Sequence, residues 1–289
     1  MQRMVSPEFD AVAYKQQARE RWDAAAEPWH RWTPALERWL GEATGRLLDM
    51  AGVAEGSRVL DVAAGTGLQT MAAARRVGPG GHVLATDLSA AILRYAAQQA
   101  REAGLANVET RELDGEHLDE LAAGALDAAI SRLGVMLMAD PGRCLAGMRR
   151  ALRPGGRAAV IVFSEKEKNP FLSKPLGIAR RRAGLPPAKP GDPGPFSLAS
   201  PETARGLFEG AGFVGIETRL AAAPMRMASA AECFRFEYES FGALHQMLGA
   251  LSEEERQAAW REIEETLQQF DGPGGFEAPC ELILAAGTK

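Results

Sequence analysis

Residues 58–70 read RVLDVAAGTGLQT. Arg58 to Val62 has the apolar, β-branched character of a buried strand. It runs into a turn of small residues, Ala63-Ala64-Gly65-Thr66-Gly67, beyond which a helix begins. An acid, Asp61, sits at the end of the strand. Outward from this stretch the same alternation repeats. His82 to Asp87 reads as a second strand, and Ser89 caps a helix that ends at Gly104. Val108 to Glu112 and Ala125 to Ser131 are strands three and four. Asp140-Pro141 caps a helix that stops at Arg153-Pro154-Gly155-Gly156, and Arg157 to Phe163 is strand five. Short buried strands separated by helices predict an α/β fold with a doubly wound, parallel sheet.

The flanks read differently. Residues 1–52 predict two N-terminal helices, the first started by Ser6-Pro7 and the second by an N-cap at Thr33 with Pro34 behind it. A sheet core covers 53–163. Residues 164–200 form an insertion ending in the proline- and glycine-rich loop GLPPAKPGDPGPFS, which starts at Gly184. Within 201–289 a helix from Ser200-Pro201 to Gly212 precedes a strand, Phe213 to Leu220. Ser229-Ala-Ala-Glu232 and Ser252-Glu-Glu-Glu255 fit capping boxes for two cap helices at about 229–269. Phe276 to Ala286 reads as the final strand.

Bulk properties narrow the function. The 289 residues are 46% hydrophobic and 25% charged, with a net charge of −5, as in a globular chain with a full core. That balance offers no basic footprint for nucleic acid and none for an anionic membrane. Neither a signal peptide nor an apolar run of membrane-spanning length is present, so a cytoplasmic location is expected. Cys144, Cys233 and Cys280 are too few and too far apart for a disulfide framework or zinc site. No histidine pair at helical spacing or dense carboxylate cluster suggests another metal. Oligomeric state is not legible.

The glycine turn raises the question of its ligand. In open α/β sheets, ligands bind beyond the carboxyl ends of strands, where residues 61–67 fall. A dinucleotide fingerprint wants a third glycine where this chain has Thr70, and it sets a pyrophosphate beside the turn. Asp61 would repel that pyrophosphate. S-adenosylmethionine (SAM) brings a sulfonium and an ammonium, which a carboxylate attracts, and its own carboxylate can use the N–H groups of the turn and helix start. Asp87, at the tip of strand two, can accept from both ribose hydroxyls. Asp114, in Asp114-Gly115-Glu116 after strand three, can accept from the adenine amino group. An NAD(P)-dependent oxidoreductase is the alternative enzyme, disfavoured by Asp61, by Thr70 and by the lack of a Y-x-x-x-K pair. A SAM-binding module without turnover is the other.

VLDVAAGTG, ATDLS, DGE, and LRPGG before a strand together resemble the class I SAM-dependent methyltransferases. The similarity is greatest to the small-molecule group that contains ubiquinone- and menaquinone-biosynthesis-type enzymes. It covers residues 40–163 well. The resemblance implies a mostly parallel seven-stranded sheet whose last strand, near 276–286, runs antiparallel. It also implies that Asp61 to Gly67, with Ala63, Gly65 and Thr66, hold the methionine part. Asp87 and Leu88 would flank the ribose and Asp114, Gly115 and Glu116 the adenine, with Ser131 beside the methyl donor. The family's first glycine is Ala63 here, which fits if its φ stays negative.

Methyl transfer asks the protein to align an acceptor with the sulfonium methyl, exclude water and, where needed, remove a proton. A small, apolar or aromatic acceptor is expected. His30 in PWHRW is one base candidate, with Trp29 and Trp32 either lidding the site or docking the N-terminal helix on the sheet. His245 is the other. Residues 234, 238, 241 and 245 share a face at helical spacing, which sets Phe234, Tyr238 and Phe241 beside His245. That face is either an acceptor pocket or cap core. The three cysteines offer soft-acceptor chemistry or inert packing, and Arg180-Arg181-Arg182 an anion-attracting patch or a solvated helix face.

Overall fold

The computed structural model describes residues 9–189 and 191–289; the Ser6-Pro7 helix start lies outside them. Helix α1 (Ala11–Arg31) is capped instead by Asp10, whose carboxylate accepts from the N–H groups of Val12 and Ala13. Helix α2 (Thr33–Met50) follows after a single break at Trp32. Trp32 therefore takes the cap position expected for Thr33, and the Thr33 hydroxyl is buried without a partner.

The core alternates as the periodicity predicts. Strand β1 (Arg58–Val62), helix α3 (Leu68–Val77), β2 (His82–Asp87), α4 (Ala90–Glu102) and β3 (Val108–Glu112) come first. Strand β4 (Leu126–Arg132), α5 (Pro141–Ala151) and β5 (Leu152–Phe163) complete this half. Ser89 caps α4 by accepting from the N–H of Ile92, and Asp140 caps α5 from Arg143. The central strands are largely apolar on both faces, with Val59, Leu60, Ala128, Ala129, Ile130 and Ile161 fully enclosed. Helices on both sides of a parallel sheet require this.

The insertion is not all loop. Helix α6 (Pro170–Arg182) precedes the proline-rich stretch. Arg181 and Arg182 both pair with Glu262, and Arg180 donates to the carbonyl of Pro186. The arginine run thus ties α6 down and is no anion patch. After it come α7 (Pro201–Gly210), β6 (Val214–Ala222) and β7 (Met225–Met227). The cap holds three helices where two were expected: α8 (Ala230–Ser240), α9 (Gly242–Leu248) and α10 (Glu253–Leu267). Phe241, at φ −97° and ψ 78°, breaks the first one just before Gly242. Ser252 and Glu255 form a reciprocal capping box, whereas Glu232 reaches past Ser229 to the N–H of Ala228.

The expected last strand is also divided. Strand β8 (Asp271–Gly272) and β9 (Gly275–Ala278) join β7 in a small separate sheet, and β10 (Glu281–Thr288) enters the main one. Pro279, which has no N–H for a ladder, lies between them. The main sheet has seven strands in the order β3-β2-β1-β4-β5-β10-β6, with β10 antiparallel to both neighbours. Strand order reverses between β1 and β4, so the crevice for a ligand opens at their C-terminal tips. Among the described residues, no helix is long and apolar enough to cross a membrane.

Candidate functional site: a cleft at the strand tips

Four neighbouring strands deliver the sequence-selected residues to one edge. Asp61 lies in β1, Asp87 ends β2, Asp114 follows β3 and Ser131 stands in β4. Gly67 has a left-handed φ of +91°, and a Cβ there would lie 2.9 Å from the Ala96 Cβ, so glycine alone lets α4 press against the turn. Thr66 is fastened by its carbonyl, which accepts from Gln99 Nε2 at 2.7 Å.

Ala63 departs from expectation: its φ is +56°. An alanine in this region costs about 1 kcal/mol. Leu133, at φ +61°, is the other non-glycine residue with positive φ among those described, and it follows the tip of β4. The two meet at Gly134, where a Cβ would lie 2.4 Å from the Ala63 Cβ and 3.0 Å from Ser131 Oγ. Backbone strain is thus concentrated where β1 and β4 part. Ser131 Oγ, buried there, has no hydrogen-bond partner, an arrangement that a bound polar group would satisfy.

The acids differ from one another. Asp61 is fully buried and turned toward α3. Thr70 Oγ1 donates to its Oδ2 at 2.6 Å and Gln69 Nε2 to its Oδ1 at 3.3 Å. Desolvation pushes its pKa up to about 7, against the opposing pull of those two donors and of the Arg132 charge. Thr70, counted in the sequence only as a missing glycine, is therefore a ligand of the first acid. Asp87 Oδ2 accepts from the N–H of Gly65 at 2.9 Å and Oδ1 from that of Ser89 at 3.0 Å. Burial raises its pKa too, offset by the N–H groups of Ser89, Gly65 and Leu88. Asp114 Oδ1 accepts from the N–H of Glu116 at 2.9 Å. At Gly115 a Cβ would lie 2.5 Å from Met138 Cε and 2.9 Å from Val62 Cγ1, so a larger residue would force its neighbours to shift.

Helix α1, part of the N-terminal helices expected as a lid over 1–52, straps this edge through residues that the sequence did not single out. Tyr14 OH donates to the Leu137 carbonyl at 2.6 Å. Lys15 Nζ lies 2.8 Å from both Asp114 Oδ2 and Glu116 Oε2. Arg19 pairs with Glu112, and Ser89 Oγ donates to Asp23. Residues 15, 19 and 23 fall on one stripe at helical spacing, the signal that could have revealed the strap. Half-buried Arg132 donates from Nη1 to Thr44 Oγ1 at 2.9 Å, and desolvation draws its pKa down to about 10.

The expected base and pocket residues go elsewhere. Trp29 Nε1 donates to the Ser240 carbonyl at 3.0 Å, and Trp32 Nε1 to Glu239 Oε2 at 2.8 Å. Both rings pack on Phe236. They dock the N-terminal helices on α8, not on the sheet. His30 stacks on Tyr95 of α4 with centroids 4.5 Å apart. Because the cap helix breaks at Phe241, the four-residue face does not form. Phe241 turns to Trp29 and Phe236. Phe234, Tyr238 and His245 instead surround Trp260. His245 is exposed, with its Nε2 2.6 Å from the Tyr238 carbonyl. That contact ties α9 to α8. His245→Ala is expected to lower thermal stability and leave turnover within twofold of wild type, measured as product release at saturating cofactor; a loss of tenfold or more would restore it to the chemistry.

The cysteines are free and buried, and desolvation pushes the Cys280 thiol up to about 12 and the other two higher still. Thiolate chemistry at neutral pH is thereby suppressed. No group of three or more His, Cys, Asp or Glu able to hold a metal occurs among the described residues.

A family model described as a methyltransferase domain matches residues 54–178. The ubiquinone/menaquinone biosynthesis C-methyltransferase UbiE of Hahella chejuensis is 37% identical over 132 residues, 45% of this chain and 52% of that protein. The protein of the same name from Klebsiella pneumoniae is 32% identical over 181 residues, 59% of this chain and 71% of its own. The matched region thus spans about half the length of the first relative and over two thirds of the second. Among solved structures, the YcgJ protein of Bacillus subtilis superposes with a TM-score of 0.58 at 17% identity, over 86% of this chain and 98% of that one. The [4+2]-cyclase SpnF gives 0.56 at 20% identity, over 94% and 96%. These two likenesses show the fold.

Proposed function

Because the chain belongs to the class I SAM-dependent methyltransferases, we propose that it transfers a methyl group from SAM to a small apolar or aromatic acceptor held between the strand tips and the helical cap. The observation that carries this is the set of acids at the tips of β1, β2 and β3, around a glycine turn with an unpartnered Ser131 hydroxyl beside it. The cleft fits the cofactor: a buried polar atom, Ser131 Oγ, lacks a partner where the methyl donor would lie.

The cofactor supplies a methyl group on a sulfonium with a neutral thioether as leaving group, so no strong electrophile has to be built by the protein. Asp87, oriented by Gly65 and Ser89, accepts from the ribose hydroxyls. Asp114 and Glu116 line the adenine edge, with Lys15 neutralising their charge. Ser131 satisfies its hydroxyl against the bound ligand. The α1 strap excludes water over the same edge. The names of the relatives make quinone precursors the first acceptors to test. Formation of S-adenosylhomocysteine with an acceptor panel checks the proposal; wild-type protein that binds SAM yet releases none with any acceptor supports a binding module instead.

Asp61 gives this reading a pH signature. Its carboxyl titrates near 7 in the free protein, with Thr70, Gln69, Arg132 and Asp87 as the groups facing it. A cation favours the ionised form, so SAM binding should release protons near neutrality and tighten as pH rises from about 6 to 8. Calorimetry in buffers of different protonation enthalpy measures this. Affinity constant over that range, with no proton exchange, would remove Asp61 from contact with the cation.

A further inference from the structure

Behind the glycine turn, between α2 and α3, lies a cleft of about 210 Å³. Its walls include Leu68, the first residue of α3, and Gln99, which grips the Thr66 carbonyl. Gly41 opens one side: nothing stands within 4 Å of where its Cβ would be. Arg132 lines this cleft. Its one hydrogen bond among the described residues is to Thr44 Oγ1, which itself donates to the Leu40 carbonyl. Among the described residues most of this five-donor guanidinium therefore has no hydrogen-bond partner, and no carboxylate forms an ion pair with it. The Thr33 hydroxyl, in the same lining, is buried and also unpartnered. Arg75 adds a second cation, against Glu37 as the acid of the lining.

The turn itself has few donors to spare. The N–H of Ala64 goes to the Thr86 carbonyl, that of Gly65 to Asp87, and that of Gly67 to the Ala64 carbonyl. An anionic group lodged here finds few donors in the turn itself and gains from a cation beside it. Asp61 and Arg132, close enough for each to shift the other's charge, offer a negative and a positive group on adjoining strands. That polarity matches the zwitterion of an α-amino acid.

Resting on the cofactor reading above, we infer that Arg132, anchored by Thr44, binds the α-carboxylate of the methionyl part of SAM in the cleft between α2 and α3. Arg132 is then the residue that distinguishes SAM from an adenosyl sulfonium without that carboxylate. Decarboxylated SAM, which differs only in this group, is the probe.

Wild-type protein is expected to bind SAM about 10–100-fold more tightly than decarboxylated SAM by calorimetry. Arg132→Met should weaken SAM by about that factor and leave decarboxylated SAM within twofold. Arg132→Lys should recover part of the loss, and Thr44→Val should lose part of it by freeing the guanidinium. Equal weakening of both ligands in Arg132→Met would make the arginine a structural support and overturn the inference, as would no change in either. Wild-type protein that binds both alike overturns the arginine assignment alone. Wild-type protein that binds neither overturns the cofactor reading as well.

Discussion

Asp87→Ala is expected to weaken SAM binding by at least about 100-fold. Three losses combine at one position. The ribose hydroxyls lose a charged acceptor, a bond of about 1.5–3 kcal/mol. The N–H groups of Gly65 and Ser89, which Asp87 accepts at 2.9 and 3.0 Å, lose theirs. The turn then loses the tether that holds Gly65 in place. Asp87→Asn separates these effects: it keeps the volume and one acceptor but sets an amide NH₂ against a backbone N–H. It should fall between alanine and wild type. Calorimetry gives the affinity, and a melting curve shows that each variant is folded. Asp87→Ala binding SAM within threefold of wild type would contradict the placement of the ribose.

Glu237→Met is expected to stabilise the protein, by about 1–3 kcal/mol or a few degrees in melting temperature. Glu237 is fully buried on α8, and neither carboxyl oxygen has a hydrogen-bond partner. Burial holds its pKa well above the ordinary glutamate value. A group whose folded pKa is raised contributes most below its unfolded pKa, and that contribution disappears as pH rises through the folded value. Wild type should therefore lose stability with rising pH relative to Glu237→Met, and the gap should widen. Methionine fills the same space without a polar head. A melting temperature below wild type at every pH would show that the carboxyl has a partner and contributes to the fold.

The core was legible because its periods are unambiguous. β1 and β2 form at the expected residues because each is a short, largely apolar run that ends at small residues or an acid, and the polar edge strand β3 follows at the same spacing. The cap was less so. Helical spacing put Phe241 and His245 on one face, but the helix breaks at Phe241, just before Gly242, and its ring packs edge-on against Phe236, 5.4 Å away. The last strand failed for a similar local reason, as Pro279 cannot donate to a ladder. At the site, residue type revealed which acids gather but not what each one faces. Asp61 is fully buried, so desolvation makes its charge depend on pH where the sequence suggested a fixed carboxylate, even with Thr70 donating to it. Ala63 adopts a positive φ at a point where Gly134, just beyond β4, packs closely against it, a contact between segments far apart in the chain. The strap of Tyr14, Lys15 and Arg19 depends on tertiary docking of α1, for which an isolated polar stripe is weak notice.

The measurement that bears most directly on the cleft is competitive binding of SAM and NAD to the wild-type protein, followed by calorimetry. Acids at three adjacent strand tips should admit the cationic adenosyl compound and repel the diphosphate. SAM is predicted to bind at one site per chain with NAD unable to displace it. Tight binding of NAD that excludes SAM would contradict the account at its base.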